Sequence, residues 1–189
     1  SKIADQSFID IGNEMGFTLN IGNNGHNSME IIGVDSLPYS GDEMGSDFEG
    51  KCLITELSVK NLELLENIQL YYTTDEHQRG KTSEAFTSSD FQDNSVWTKM
   101  SVDSSTGKVT IPDSFAPVAI AAVGNLPEQQ TLKMHINLYL ENAKAGDKVV
   151  NRLTQGDMES DARTYIVSRT LEGNVWIDED KDGMYQTDE

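Results

Sequence analysis

Cysteine is almost absent from this 189-residue chain, and Cys52 alone can build neither an internal disulfide framework nor a cysteine-based zinc cluster. Apolar runs are short: no stretch of eighteen or so apolar residues is available to span a bilayer as a helix. Positive charge is scarce, with 14 Lys and Arg against 32 Asp and Glu and a formal net charge of -18. That balance repels phosphate backbones and anionic headgroups, which argues against nucleic acid and membrane surfaces as partners. Histidine is scarce too. His26, His77 and His135 lie near no G-x-S-x-G nucleophile elbow, and His135 falls on the polar side of its segment. We expect no enzyme.

What is present suffices for a core, since 37% of the residues are apolar. From Leu132 to Leu140, Leu132, Met134, Ile136, Leu138 and Leu140 alternate with polar neighbours. A period of two predicts a strand with one buried face. Further strands are predicted at 17–21, 29–34, 52–59, 68–73, 108–111, 118–123 and 164–168, and Asp103 to Gly107 reads as the turn of a hairpin joining 97–102 to 108–111. Only Asn61 to Asn67 hints at a helix or a turn. The fold class is therefore all-β, an Ig-like β-sandwich.

Two polar stretches, 35–50 and 77–93, are predicted as long surface loops, where binding usually resides. Trp97 and Trp176 are expected to anchor cores. Alternation places one ring of the pair Tyr71–Tyr72 on each face of its strand, which makes one of them an exposed contact candidate.

Residues 178–189 match D-x-[DN]-x-[DN]-G-x5-E at every constrained position. Calcium takes about six to eight oxygens at roughly 2.4 Å, and alternate side chains converge on one centre only where the chain curls tightly, as Gly183 permits. Asp178, Asp180 and Asp182 would each supply a carboxylate oxygen, Met184 a main-chain carbonyl, Gln186 an amide or water-mediated contact, and Glu189 both carboxylate oxygens. Ca2+ is the one cofactor expected. Gly173 to Ile177 before the loop reads as a strand rather than an entering helix.

The run Gly173 to Gly183, with its Val175-Trp176 and spaced aspartates, resembles the opening of the B-type repeats of Gram-positive serine-aspartate repeat surface proteins and of collagen-adhesin B-type domains. The family usually carries Asp where this chain has Gln186. Phe17 to Gly25 resembles the strand and Asn-Gly turn that open a bacterial surface β-repeat. Gly124 to Pro127, Leu132 to Leu140, Ala145 to Asp147 and Val150-Asn151 are similar to the second half of one. The resemblance implies two parts, a β-sandwich over 1–170 and the opening strand and calcium loop of a following repeat over 171–189. It implies a secreted piece of a longer chain, attached to the bacterial cell surface or cell wall and flanked by neighbouring repeats. It also implies an adhesin-like module for a host glycoprotein, matrix protein or immunoglobulin, stiffened by calcium. The alternative is a stalk repeat that only spaces a distal domain. Some related surface domains form a spontaneous Lys–Asn isopeptide crosslink, for which Lys60 and Asn151 are of the right types; sequence alone does not pair them.

Overall fold

The computed structural model describes residues 1–169, which form two facing β-sheets. The strands are β1 (Lys2–Ala4), β2 (Phe8–Asp10), β3 (Met15–Gly22), β4 (Met29–Ser36), β5 (Cys52–Val59), β6 (Ile68–Thr73), β7 (Thr98–Lys99), β8 (Ala119–Leu126), β9 (Thr131–Leu140), β10 (Lys148–Gln155) and β11 (Met158–Val167). One sheet runs β1-β3-β9-β5 and the other β2-β11-β10-β4-β8-β6-β7. All pairings are antiparallel except β2 with β11.

Alternation builds the core between the sheets. Met15, Phe17, Leu19 and Ile21 of β3 point inward, as do the even-numbered residues of β9 from Leu132 to Leu140; they meet Ile31, Leu70, Ile120 and Leu153 of the larger sheet. Where Ile21 crosses to β4, a Cβ on Gly33 would fall 2.4 Å from Ile21 Cδ1, so the glycine lets the sheets close at that point.

The larger sheet is covered on both faces over β6 and β8. Ala119, Ala121 and Val123 point away from the main core and pack with Tyr71, Phe91 and Trp97, the last two carried by the segment that follows β6. The stretch 77–93 is a surface loop without a strand, as expected, but one held against the sheet. Three short 3₁₀ turns, Glu76–Gln78, Ser83–Ala85 and Asp90–Gln92, fold it onto the sheet, and Phe91 is wholly buried. Tyr71 and Tyr72 do lie on opposite faces, but neither ring is exposed. The stretch 35–50 is likewise only partly a loop: Asp35 lies within β4, Phe48 is buried, and Asp47 bridges to Lys148.

The 97–111 hairpin closes one side of the sandwich. Asp103 N donates to Lys108 O at 2.8 Å and Thr110 N to Ser101 O at 3.0 Å, as a hairpin requires. Its first arm joins β6 through Thr98–Lys99, while Val109 N donates to Leu57 O of the opposite sheet. Asn61 to Asn67 resolves to a 3₁₀ turn, Leu62–Glu66, with Leu64 buried. Sequence reading missed β1, β2 and most of β10. The first two are only three residues long, and β10 carries polar residues at buried positions. Trp176 and the calcium-loop residues Asp178 to Glu189 lie outside the described residues.

Candidate functional site

Two places hold polar groups that the fold alone does not demand. The first is a cleft of about 180 Å³ where 37–44 and 79–81 fold against Val150 and Arg152 of β10. Ser36 Oγ donates to Lys81 O at 2.9 Å, fastening the 79–81 segment to the end of β4. The Arg79 guanidinium lies 5.0 Å over the Tyr39 ring and pairs with Glu76, which raises its pKa through that hydrogen bond. Arg152 Nε is buried with no hydrogen-bond partner, its nearest carboxylate being Glu159 at 3.8 Å. Arg79, Lys81 and Arg152 line this concavity together with Asp42 and Glu43, so its wall carries charges of both signs.

The second is inside the sandwich. Lys2 Nζ of β1 contacts Asp35 Oδ2 of β4, with side chains 0% and 1% exposed. Lys2 hangs from the edge of the smaller sheet, where its partner in register is Leu19, and its ammonium lies 5.4 Å from the Phe17 ring. Asp35 faces Leu153 across the β4–β10 ladder. Asn151, two residues before Leu153, projects from the same inward side of β10 and is 0% exposed. Both Asn151 amide atoms and Asp35 Oδ1 are buried without a hydrogen-bond partner.

Burial dominates the electrostatics there. Desolvation pushes Lys2 down to about 8, against the opposing pull of Asp35. Desolvation also raises Asp35, and the charge of Lys2 and its hydrogen bond, then the nearby Asn151 amide, only partly restrain it. Cys52, buried beside the pair, is pushed up to about 12, first by desolvation and then by Asp35, so it stays a thiol.

Of the residues singled out from sequence, Asn151 sits in this interior group, but Lys60 is exposed and does not reach it; the lysine that does is Lys2. No hydrophobic pattern marks Lys2, since a three-residue strand is too short to show a period. His135 is half buried and its Nε2 lies 2.7 Å from Asp5 Oδ2, while His26 and His77 are exposed.

No family model and no curated protein matches the chain. Among solved structures, the collagen-binding domain from a Staphylococcus aureus adhesin aligns over 82% of this chain and 88% of its own, at 11% identity and a TM-score of 0.29. A similarity that low transfers nothing of that protein's binding.

Proposed function

We propose that the chain is a cell-surface β-sandwich module that binds a host extracellular protein through the cleft between its two long loops. The cleft itself carries the reading: concave, lined by an Arg–Tyr stack and by charges of both signs, and holding a buried guanidinium nitrogen without a hydrogen-bond partner. Such a site suits a carboxylate-bearing surface, since guanidinium groups pair with carboxylates in planar, two-pronged fashion. A matrix glycoprotein or an immunoglobulin is the proposed class of partner. In this reading residues 1–170 are the binding domain. Residues 171–189 open a following repeat, whose Ca2+ loop stiffens the junction and sets the module among neighbouring repeats of a wall-attached chain.

Affinity capture from serum and mucosal secretions, with and without Ca2+, tests it. An acidic host protein held by the wild type and lost by Arg152→Ala is the expected result; no captured protein, or capture unchanged by Arg152→Ala, overturns the cleft assignment. The second reading, a spacer with no ligand, is favoured by one observation: residues 86–97 spend Phe86, Phe91 and Trp97 on covering β8 rather than on a free surface.

A further inference from the structure

Among the described residues five large apolar side chains stand exposed, and two of them, Met29 at 45% and Met158 at 59%, line one groove. A single exposed apolar group is ordinary on a protein surface, whereas two that share a concavity mark a place suited to receiving apolar side chains from outside. The groove, of about 370 Å³, lies between the start of β4, the Ser83–Ala85 turn and the hairpin that joins β10 to β11.

Its apolar lining continues the outer layer of the fold. Ile32 and Phe86 are half-buried there and pack against the cluster of Val34, Phe91 and Trp97, with the Phe86 ring 5.5 Å from that of Trp97. The walls are fixed in advance: Ser83 N donates to Thr154 Oγ1 at 2.8 Å and Ser83 Oγ to Gly156 O at 3.1 Å, which ties the turn to β10 and to the hairpin tip. A preformed groove spares a ligand the cost of ordering it.

The charges around the groove are of one sign, unlike those of the cleft at Arg152. Its charged lining residues are Glu30, Glu84 and Asp157, and none of the three pairs with a Lys or Arg among the described residues. Glu30 accepts a hydrogen bond from Ser88 Oγ. Lys81 Nζ comes within 5.9 Å of the Phe86 ring centroid but is held by Gln78 Oε1 at 2.9 Å.

We propose that this groove binds a basic amphipathic peptide segment of another protein, with its apolar side chains seated on Met29, Met158 and Phe86 and its Lys or Arg side chains set against Glu30, Glu84 and Asp157.

Charge selects that occupant. A second copy of the chain would bring a net charge of -18 to a groove of the same sign, and residues 170–189 would bring seven acids against one lysine, so both are repelled. A basic partner is drawn by the same field, and its cations meet carboxylates that no cation of the described residues already engages. Methionine suits the apolar half of the task. Its unbranched, polarisable side chain repacks around side chains of different shape, so the groove reads an amphipathic pattern rather than one fixed sequence. This inference is independent of the cleft and of its carboxylate-bearing partner.

Methionine methyl signals read the site directly, because the chain has seven methionines in distinct surroundings. The whole chain, with its methionine methyl groups isotope-labelled for NMR, is titrated with a synthetic peptide of Lys and Leu patterned as an amphipathic helix. The Met29 and Met158 signals should move together and saturate, while those of the buried Met15 and Met134 stay in place. Met158→Ser, and the double charge reversal Glu84→Lys with Asp157→Lys, should each weaken binding by about tenfold or more. All three positions are exposed, so the variants should fold. Met29 and Met158 signals that do not move overturn the proposal, and so does movement centred on Met44, which would put the peptide in the cleft. An equal response to a scrambled peptide of the same composition overturns it too, since that would be attraction of charge alone. A Glu–Leu peptide of the same pattern should not bind; equal binding of that peptide would show unselective apolar contact and sink the charge-based assignment.

Discussion

Tyr71 and Tyr72 are consecutive in β6, yet their rings belong to different cores: Tyr71 packs on Phe91 with centroids 5.4 Å apart, and Tyr72 meets Phe115 edge-on at 4.8 Å. The larger sheet is therefore a middle layer, with the smaller sheet on one face and the segment 86–97 on the other. Phe91 is the keystone of the outer layer, touching Tyr71, Phe86 and Trp97.

Phe91→Ala should accordingly destabilise the protein by about 3–5 kcal/mol, the usual cost of removing a fully buried ring. Chemical denaturation measures it. A loss below about 1 kcal/mol would mean that the 77–97 segment lies loosely on the sheet and contributes little to the folded state.

Ile136→Asp tests the main core. Ile136 is 0% exposed and opposes Phe17 on β3 and Leu57 on β5, so a carboxylate there would be buried without a partner. Circular dichroism should show loss of the β spectrum at neutral pH. A folded variant would mean that β9 turns its other face inward.

The buried Lys2 makes stability depend on pH. Its folded pKa, about 8, is depressed from 10.5 by desolvation, so between those values the unfolded chain binds more protons. Stability should therefore rise as pH climbs from about 8 towards 10.5, by on the order of 3 kcal/mol for a fully buried group. Asp35 and Cys52 face the same ammonium; Cys52, at about 12, stays protonated throughout that window, and burial raises Asp35 above its ordinary value. Melting measured from pH 7 to pH 10 on the wild type and on Lys2→Met checks it, and a rise of equal size in both would mean that Lys2 is not its source.

The calcium loop makes a separate prediction. Isothermal calorimetry should detect about one Ca2+ per chain, abolished by Asp178→Ala or Glu189→Ala, since the glutamate alone supplies two of roughly seven ligands. Chelation should raise proteolysis within 171–189 and shift the melting of 1–170 only modestly, because a ligand stabilises just the cooperative unit that holds its site. One-step melting of the whole chain on chelation would show a single unit instead of two.

Where a strand is long and half buried, the sequence determined it. The alternation of 132–140 specified β9 and its inward face, and 52–59 and 68–73 matched β5 and β6 to the residue, because period two has a single solution once one face must be dry. Asn61 to Asn67 left a helix and a turn equally open in the sequence, and the fold decides for a 3₁₀ turn with Leu64 buried. Tertiary structure decided the rest. Whether 77–93 was a free loop or a cover depended on Ala119, Ala121 and Val123 having a second apolar face to hide, which no local pattern in 77–93 reports. Asp35 looked like the start of an acidic loop, because only the partner strands show that it points into the core. Lys2 and Asn151 stand at opposite ends of the described chain, and only the closing of one sheet on the other brings an amine, an acid and an amide into one dry place.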